Sequence, residues 1–234
     1  KLDKVIKRIL SLAKVKAALP ILSNFHISVQ ENEMFLTAGN LEIWGVGRVE
    51  CESKDKFKFC VDAQKLAAIV SNSYDALKFA YDDKTHKLVI TYGHSTHRLS
   101  TEIEEDFPQP AEIEDPKTVK IPDIAKIFKR SMHVVDKDQL RRSMFGVFIG
   151  DKSIRATDGF RAIVNHVETG VEAGLENGIF VPKETANIIA GLTEPDIEFV
   201  YNKYDMKIVA GDITYHSKLI DDNPPNIEGV IPKE

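Results

Sequence analysis

Cys60-Val61-Asp62-Ala63-Gln64-Lys65-Leu66-Ala67-Ala68-Ile69-Val70 and Phe180-Val181-Pro182-Lys183-Glu184-Thr185-Ala186-Asn187-Ile188-Ile189-Ala190 follow one pattern, 120 positions apart. In each, a short apolar run meets a residue suited to a helix start, Asp62 or Pro182, and apolar positions at helical spacing follow. The same offset carries Leu77-Lys78-Phe79-Ala80-Tyr81 onto Ile197-Glu198-Phe199-Val200-Tyr201. It also carries Leu88-Val89 onto Ile208-Val209 and Arg98-Leu99 onto Lys218-Leu219. One offset held over about 40 residues marks a duplicated unit rather than a local coincidence.

Upstream the correspondence continues at an offset of 122. Lys4, Lys7 and Arg8 fall on Lys126, Lys129 and Arg130, Val5-Ile6 on Ile127-Phe128, and Ile27 on Ile149. Two domains are therefore expected, 1–116 and 117–234. They join in the Pro-rich, acidic stretch from Phe107-Pro108-Gln109-Pro110 to Asp115-Pro116.

Each copy has the same coarse plan. Over Leu2–Ala13, Val5, Ile6, Ile9, Leu10, Leu12 and Ala13 share one helical face, and Lys4, Lys7, Arg8 and Ser11 share the other. A matching helix is expected from Pro122 to Val135. Alternating runs such as Phe25–Val29, Ser143–Ile149 and Lys87–Tyr92 read as strands. Helices scattered among mainly antiparallel strands make the fold class α+β.

Composition bounds the function. No apolar run approaches the ~18 residues of a membrane span, so no membrane partner is expected. No basic and apolar leader is seen. Cys51 and Cys60 are too few for a disulfide framework in 234 residues, which favours a reducing, cytoplasmic setting. The formal net charge of −5, from 31 Lys+Arg against 36 Asp+Glu, is unlike that of a protein that coats nucleic acid.

Motifs for chemistry are sparse. There is no Gly-x-Ser-x-Gly, and neither cysteine has a recognisable His or Asn arrangement. Gly45-Val46-Gly47 lacks the third glycine and the following helix of a dinucleotide fingerprint, so it reads as strand or turn. His94 and His97 read as exposed hairpin histidines, and Asp158-Gly159 as a tight turn. No catalytic residue, metal site or cofactor is expected. The recurring basic faces are more informative: two equivalent helices with Lys/Arg stripes suit the phosphates of a duplex without reading its bases.

Several motifs resemble the bacterial sliding clamp, the beta subunit of DNA polymerase III. Leu19-Pro20-Ile21-Leu22-Ser23-Asn24, Leu36-Thr37-Ala38-Gly39-Asn40-Leu41-Glu42 and Glu105-Asp106-Phe107-Pro108 are similar to its first domain. Arg155-Ala156-Thr157-Asp158-Gly159-Phe160-Arg161 is similar to the Ala-Thr-Asp-Gly-His-Arg motif of the second. Ser217-Lys218-Leu219-Ile220-Asp221, Pro225 and Val230-Ile231-Pro232 resemble the segment that leads out of it.

The resemblance implies tandem DNA-clamp domains, each with two helices packed on antiparallel sheets, in a six-domain ring around double-stranded DNA. It implies a non-catalytic processivity factor that tethers a DNA polymerase and a clamp loader through short linear motifs. Lys4, Lys7, Arg8, Lys126, Lys129 and Arg130 would face the DNA, with Lys16, Arg141 and Arg142 nearby. A partner-peptide pocket would be lined by Met144, Thr157, Gly159, Phe160, Arg161, Ala162, Pro225 and Val230.

Here the pattern is altered. Phe160 replaces the usual His, Ala162 the usual Leu, and Gly229 stands where a basic residue is common. Family chains also have a third domain, whereas this sequence stops at Glu234. A ring would need that domain, or three copies of a two-domain chain. The altered pocket and the acidic charge leave a second reading, a clamp-fold adaptor that binds proteins without encircling DNA.

Overall fold

A computed structural model of the chain describes residues 1–13, 19–138, 140–171, 178–222, 224–227 and 229. By its internal contacts the chain divides into Lys1–Ala111 with Asp212–Tyr215, and Glu112–Gly211 with His216–Glu234. The division after Ala111 falls within the Pro-rich stretch. Among the described residues, no helix is long and apolar enough to cross a membrane.

In the first unit, α1 (Leu2–Ile9) precedes β1 (Asn24–Gln30), β2 (Glu33–Gly39), β3 (Ile43–Glu50) and β4 (Phe57–Asp62). Then come α2 (Ala63–Ser71), β5 (Lys78–Asp82), β6 (Lys87–Tyr92) and β7 (Ser95–Glu102). The strands lie in the order β5-β6-β7-β4-β1-β2-β3. The core holds Val5, Ile6 and Ile9 of α1, Leu66 and Val70 of α2, and Phe25, Ile27, Leu36 and Phe59 of the sheet. Asp62 starts α2 as expected of an N-cap: its carboxylate accepts from the Lys65 N–H at 2.8 Å.

Gly45 and Gly47 have a packing role. Both lie in β3, and a Cβ at Gly47 would collide with Val5, one at Gly45 with Ile9. The missing side chains let α1 lie close on the strand.

In the second unit, β8 (Lys117–Lys120) precedes α3 (Ile124–Ser131), β9 (Gly146–Ile149), β10 (Ser153–Thr157) and β11 (Ala162–His166). Then follow β12 (Ile179–Pro182), α4 (Lys183–Ala190), β13 (Ile197–Tyr201), β14 (Asp205–Ala210) and β15 (Ile213–Lys218), whose first three residues are grouped with the first unit. One sheet has the order β15-β14-β13-β8, the other β11-β10-β9-β12. From its first helix onward, the second unit thus repeats the helix and strand sequence of the first.

Three local expectations need correction. The first helix ends at Ile9, and Leu10–Leu12 tightens into a 3-10 turn. Its counterpart runs only over Ile124–Ser131, entered through Asp123 at φ 51, and Met132–Val134 is again 3-10. Each helix tightens in its last turn, where intrahelical carbonyl partners run out. The run Ser143–Ile149 is a strand only from Gly146, because Arg142–Met144 turns.

His216 on β15 is expected to make the second unit acid-sensitive. Burial, then the Lys207 ammonium, pushes its pKa down to about 4 from 6.5. A base whose folded value is depressed takes up its proton more readily once unfolded. Its contribution is present above pH 6.5 and is lost as pH falls toward 4. His216→Gln is therefore expected to flatten the decline of the urea midpoint across that interval. A decline as steep as in the parent would assign the acid sensitivity to other groups.

Candidate functional site

The cations of α1 and α3 stand opposite the buried face of each helix. On α1, Val5, Ile6 and Ile9 are buried while Lys4 and Lys7 are exposed and Arg8 is half-buried. On α3, Ile124, Ile127, Phe128 and Ser131 are buried while Lys126, Lys129 and Arg130 are exposed. Lys7 pairs with Asp3 at 2.7 Å and Lys126 with Asp123 at 2.6 Å. Exposed pairs of this kind hold little energy, so a phosphate could replace the carboxylate at small cost.

The stripe belongs to the first helix of each unit. The second helices expose Gln64, Lys65 and Ala68 on α2, and Glu184 and Asn187 on α4. Arg141 and Arg142 are exposed at the short turn before β9, with Arg141 3.5 Å from Asp136. Lys16 lies outside the described residues.

A second feature sits on the β11-β10-β9-β12 sheet. The register places Val164, Arg155, Phe148 and Phe180 in one row across its four strands. In the adjacent row, Asn165 pairs with Ile154 and donates to Ser131 of α3, so that row faces the helix. The Arg155 row therefore faces away from it, because successive side chains alternate. Ser143, Met144, Phe148, Arg155, Thr157, Phe180, Pro224, Pro225 and Ile227 line a tight cleft there, with free space of about 10 Å³. That is room for about one water.

Met144, Thr157 and Pro225, named from the sequence, thus come together. Gly159, Phe160, Arg161 and Ala162 are exposed on the adjoining turn and do not line this cleft. Val230 lies outside the described residues.

The turn is stiffly built. The Thr157 hydroxyl donates to the Arg161 carbonyl at 2.8 Å and accepts from the Gly159 N–H at 3.0 Å. The Asp158 carboxylate accepts from the backbone N–H groups of Phe160 and Arg161 and from the Arg161 guanidinium. The Arg161 side chain foremost, then those backbone donors, holds the Asp158 carboxyl at about 2. Gly159 at φ +85 needs glycine, and a Cβ there would also meet Met144. Phe160 at the tip is 89% exposed.

Sequence reasoning missed Phe148, Arg155, Phe180 and Ile227 as lining residues. The first three come together through strand register, for which the sequence carries only the alternation within each strand.

Among the described residues, no group of His, Cys, Asp and Glu could hold a metal. The His94–His97 hairpin needs correction in one detail. His94 is exposed, but the His97 ring stacks on Tyr92 at 5.6 Å and its Nε2 is buried without a hydrogen-bond partner. Burial pushes the Cys60 thiol up to about 12, which leaves it protonated and unreactive at neutral pH.

Residues 1–111 match the family described as DNA polymerase III beta subunit, N-terminal domain. The likeness to beta clamps extends beyond that domain. The beta sliding clamp of Pseudomonas putida is 27% identical over 98% of this chain, and that of Helicobacter pylori strain J99 is 24% identical over all of it. The chain spans 65% of the length of each of these relatives.

Solved structures agree on the fold. The H. pylori beta clamp bound to a DNA ligase peptide matches all of this chain and 68% of its own, with a TM-score of 0.89 at 22% identity. The DNA polymerase III beta subunit of Pseudomonas aeruginosa matches all of this chain and 66% of its own, with a TM-score of 0.85 at 24% identity. The two units are tandem beta-clamp folds of the α+β class.

Proposed function

We propose that this chain supplies two clamp domains, 1–116 and 117–234, of a cytoplasmic DNA sliding clamp. The clamp encircles duplex DNA and tethers a replicative polymerase and its clamp loader through short peptide motifs. The observation that carries this reading is the recurrence of one outward cationic stripe on α1 and α3 in a chain of net negative charge. Lys4, Lys7, Arg8, Lys126, Lys129 and Arg130 then meet phosphates, with Lys16, Arg141 and Arg142 at the margin. The contacts are non-specific and permit sliding, because they address the backbone alone. No covalent chemistry, metal or cofactor is involved.

The cleft beside Met144, Thr157 and Pro225 serves as the partner site, with Gly159, Phe160, Arg161, Ala162 and Val230 at its rim. The H. pylori relative with a bound DNA ligase peptide supports this part of the reading.

Acetylation of lysines, read by mass spectrometry with and without a 30-base-pair duplex at low salt, tests the proposal. Lys4, Lys7, Lys126 and Lys129 should be protected by the duplex, whereas Lys78 and Lys87 on the strands should label equally in both samples. Unchanged labelling of the helices would instead favour the adaptor that does not encircle DNA.

A further inference from the structure

A pocket opens in the first unit at the place that, by the duplication, corresponds to the cleft of the second. His26 of β1 stands between Thr37 of β2 and Cys60 of β4, as Phe148 stands between Arg155 and Phe180. At the offset of 120, Glu105 and Phe107 fall on Pro225 and Ile227. The contents differ. Ser28, Phe35, Thr37, Lys58, Glu104 and Glu105 are among the residues that line this pocket, whose free space is about 480 Å³ against about 10 Å³ in the cleft.

Thr37 is 4% exposed, yet among the described residues its hydroxyl has no hydrogen-bond partner, unlike most buried polar groups. The exposed Glu105 carboxylate is also unpaired among the described residues. Glu104 meets His26 Nε2 at 3.2 Å and the Lys58 ammonium at 3.7 Å, the latter too long for a hydrogen bond. Burial foremost lowers the His26 pKa from 6.5, so at neutral pH its ring does not offset the carboxylates. Two acids then face one ammonium. Half-buried Phe35, and Phe107 stacked on His26 at 5.5 Å, give the pocket an apolar side.

We propose that this pocket is a binding site in its own right and takes the guanidinium of an arginine on a partner protein. Its five N–H donors can serve two carboxylates and a hydroxyl together, while its aliphatic stem covers Phe35. Lys58 already holds a cation near Glu104, but only as an exposed pair, which an incoming guanidinium displaces at small cost. A chain arginine fits better than the free amino acid, whose α-carboxylate Glu104 and Glu105 would repel. The proposal stands independently of the second unit's cleft as a peptide site.

The test titrates the isotopically labelled protein with acetyl-Gly-Ser-Arg-Ser-Gly-amide at low salt and follows backbone amide resonances by NMR. The amides of Ser28, Phe35, Thr37 and Glu105 should shift saturably. The same peptide with citrulline, which keeps the shape without the charge, should bind about tenfold more weakly, the size of one charge-assisted hydrogen bond. Free L-arginine should also bind more weakly than the peptide.

Glu105→Gln and Thr37→Val should each weaken the arginine peptide, whereas Lys58→Met should strengthen it about threefold, the scale of one exposed ion pair. The unperturbed amide spectrum of each variant shows that it is folded, and exposed Glu105 and Lys58 carry the test where Thr37→Val is not. Equal binding of the citrulline peptide would overturn the guanidinium reading. Free arginine that binds as tightly as the peptide would overturn the partner chain as its source. Weaker binding in Lys58→Met would overturn the displacement of Lys58, and with it the proposed seat. Shifts absent from these four amides would overturn the site, whatever the second unit's cleft binds.

Discussion

Replacing Lys4, Lys7, Arg8, Lys126, Lys129 and Arg130 together by glutamine is expected to remove about five units from the slope of log Kd for duplex DNA against log salt. Each phosphate contact contributes about 0.9 of a unit through released counterions. Five units correspond to about a thousandfold difference in how far affinity falls between 50 and 200 mM salt. The six side chains lie opposite the buried faces of α1 and α3, so both helices keep their core contacts. The exposed pairs with Asp3 and Asp123 add little stability to lose. Arg8 is half-buried, and the folding of its variant is checked by circular dichroism.

The duplication makes a sharper demand. Substituting the α1 triplet alone, or the α3 triplet alone, should remove about half of the effect each. Lys65→Gln, on the helix without a stripe, should leave the slope unchanged. Anisotropy of a labelled 24-base-pair duplex across a salt series measures all four variants. A full effect from one triplet and none from the other would mean that only one helix meets DNA.

The helices were legible in the sequence because a 3.6-residue period writes buried and exposed faces directly into residue order. Val5, Ile6 and Ile9 are buried, and Lys4 and Lys7 are exposed, as the period requires. The 3-10 endings at Leu10–Leu12 and Met132–Val134 were not legible, because apolar spacing continues past the point where the backbone tightens.

Gly45 and Gly47 illustrate a different limit. A glycine pair states that something comes close, but only the fold says that it is α1 rather than a phosphate. The row Val164-Arg155-Phe148-Phe180 depends on pairing between four strands taken from a span of 33 residues, counted from Phe148 to Phe180. Local patterns set which face each residue takes. They do not set which residue of the neighbouring strand lies opposite.

Phe199→Ala is expected to cost the second unit about 3–5 kcal/mol, and Phe79→Ala only about 1 kcal/mol in the first. The offset of 120 equates these residues, and their strands have the same alternation. Their burial differs. Phe199 and Tyr201 on β13 are 0% and 1% exposed, while Phe79 and Tyr81 on β5 are half-buried.

Pairing explains the difference. β13 lies between β14 and β8, with Phe199 opposite Val119, whereas β5 pairs with β6 and, among the described residues, lies at the edge of its sheet. Truncating Phe199 leaves a cavity enclosed on both sides; truncating Phe79 leaves one open to water, which fills it at smaller cost. Hydrogen exchange read by mass spectrometry along a urea series measures each sheet separately. Phe199→Ala should speed exchange throughout β13 and β14, and Phe79→Ala should act weakly and only in β5 and β6. Equal costs for the two substitutions would show that in solution the β5 edge is covered as fully as β13 is by β8.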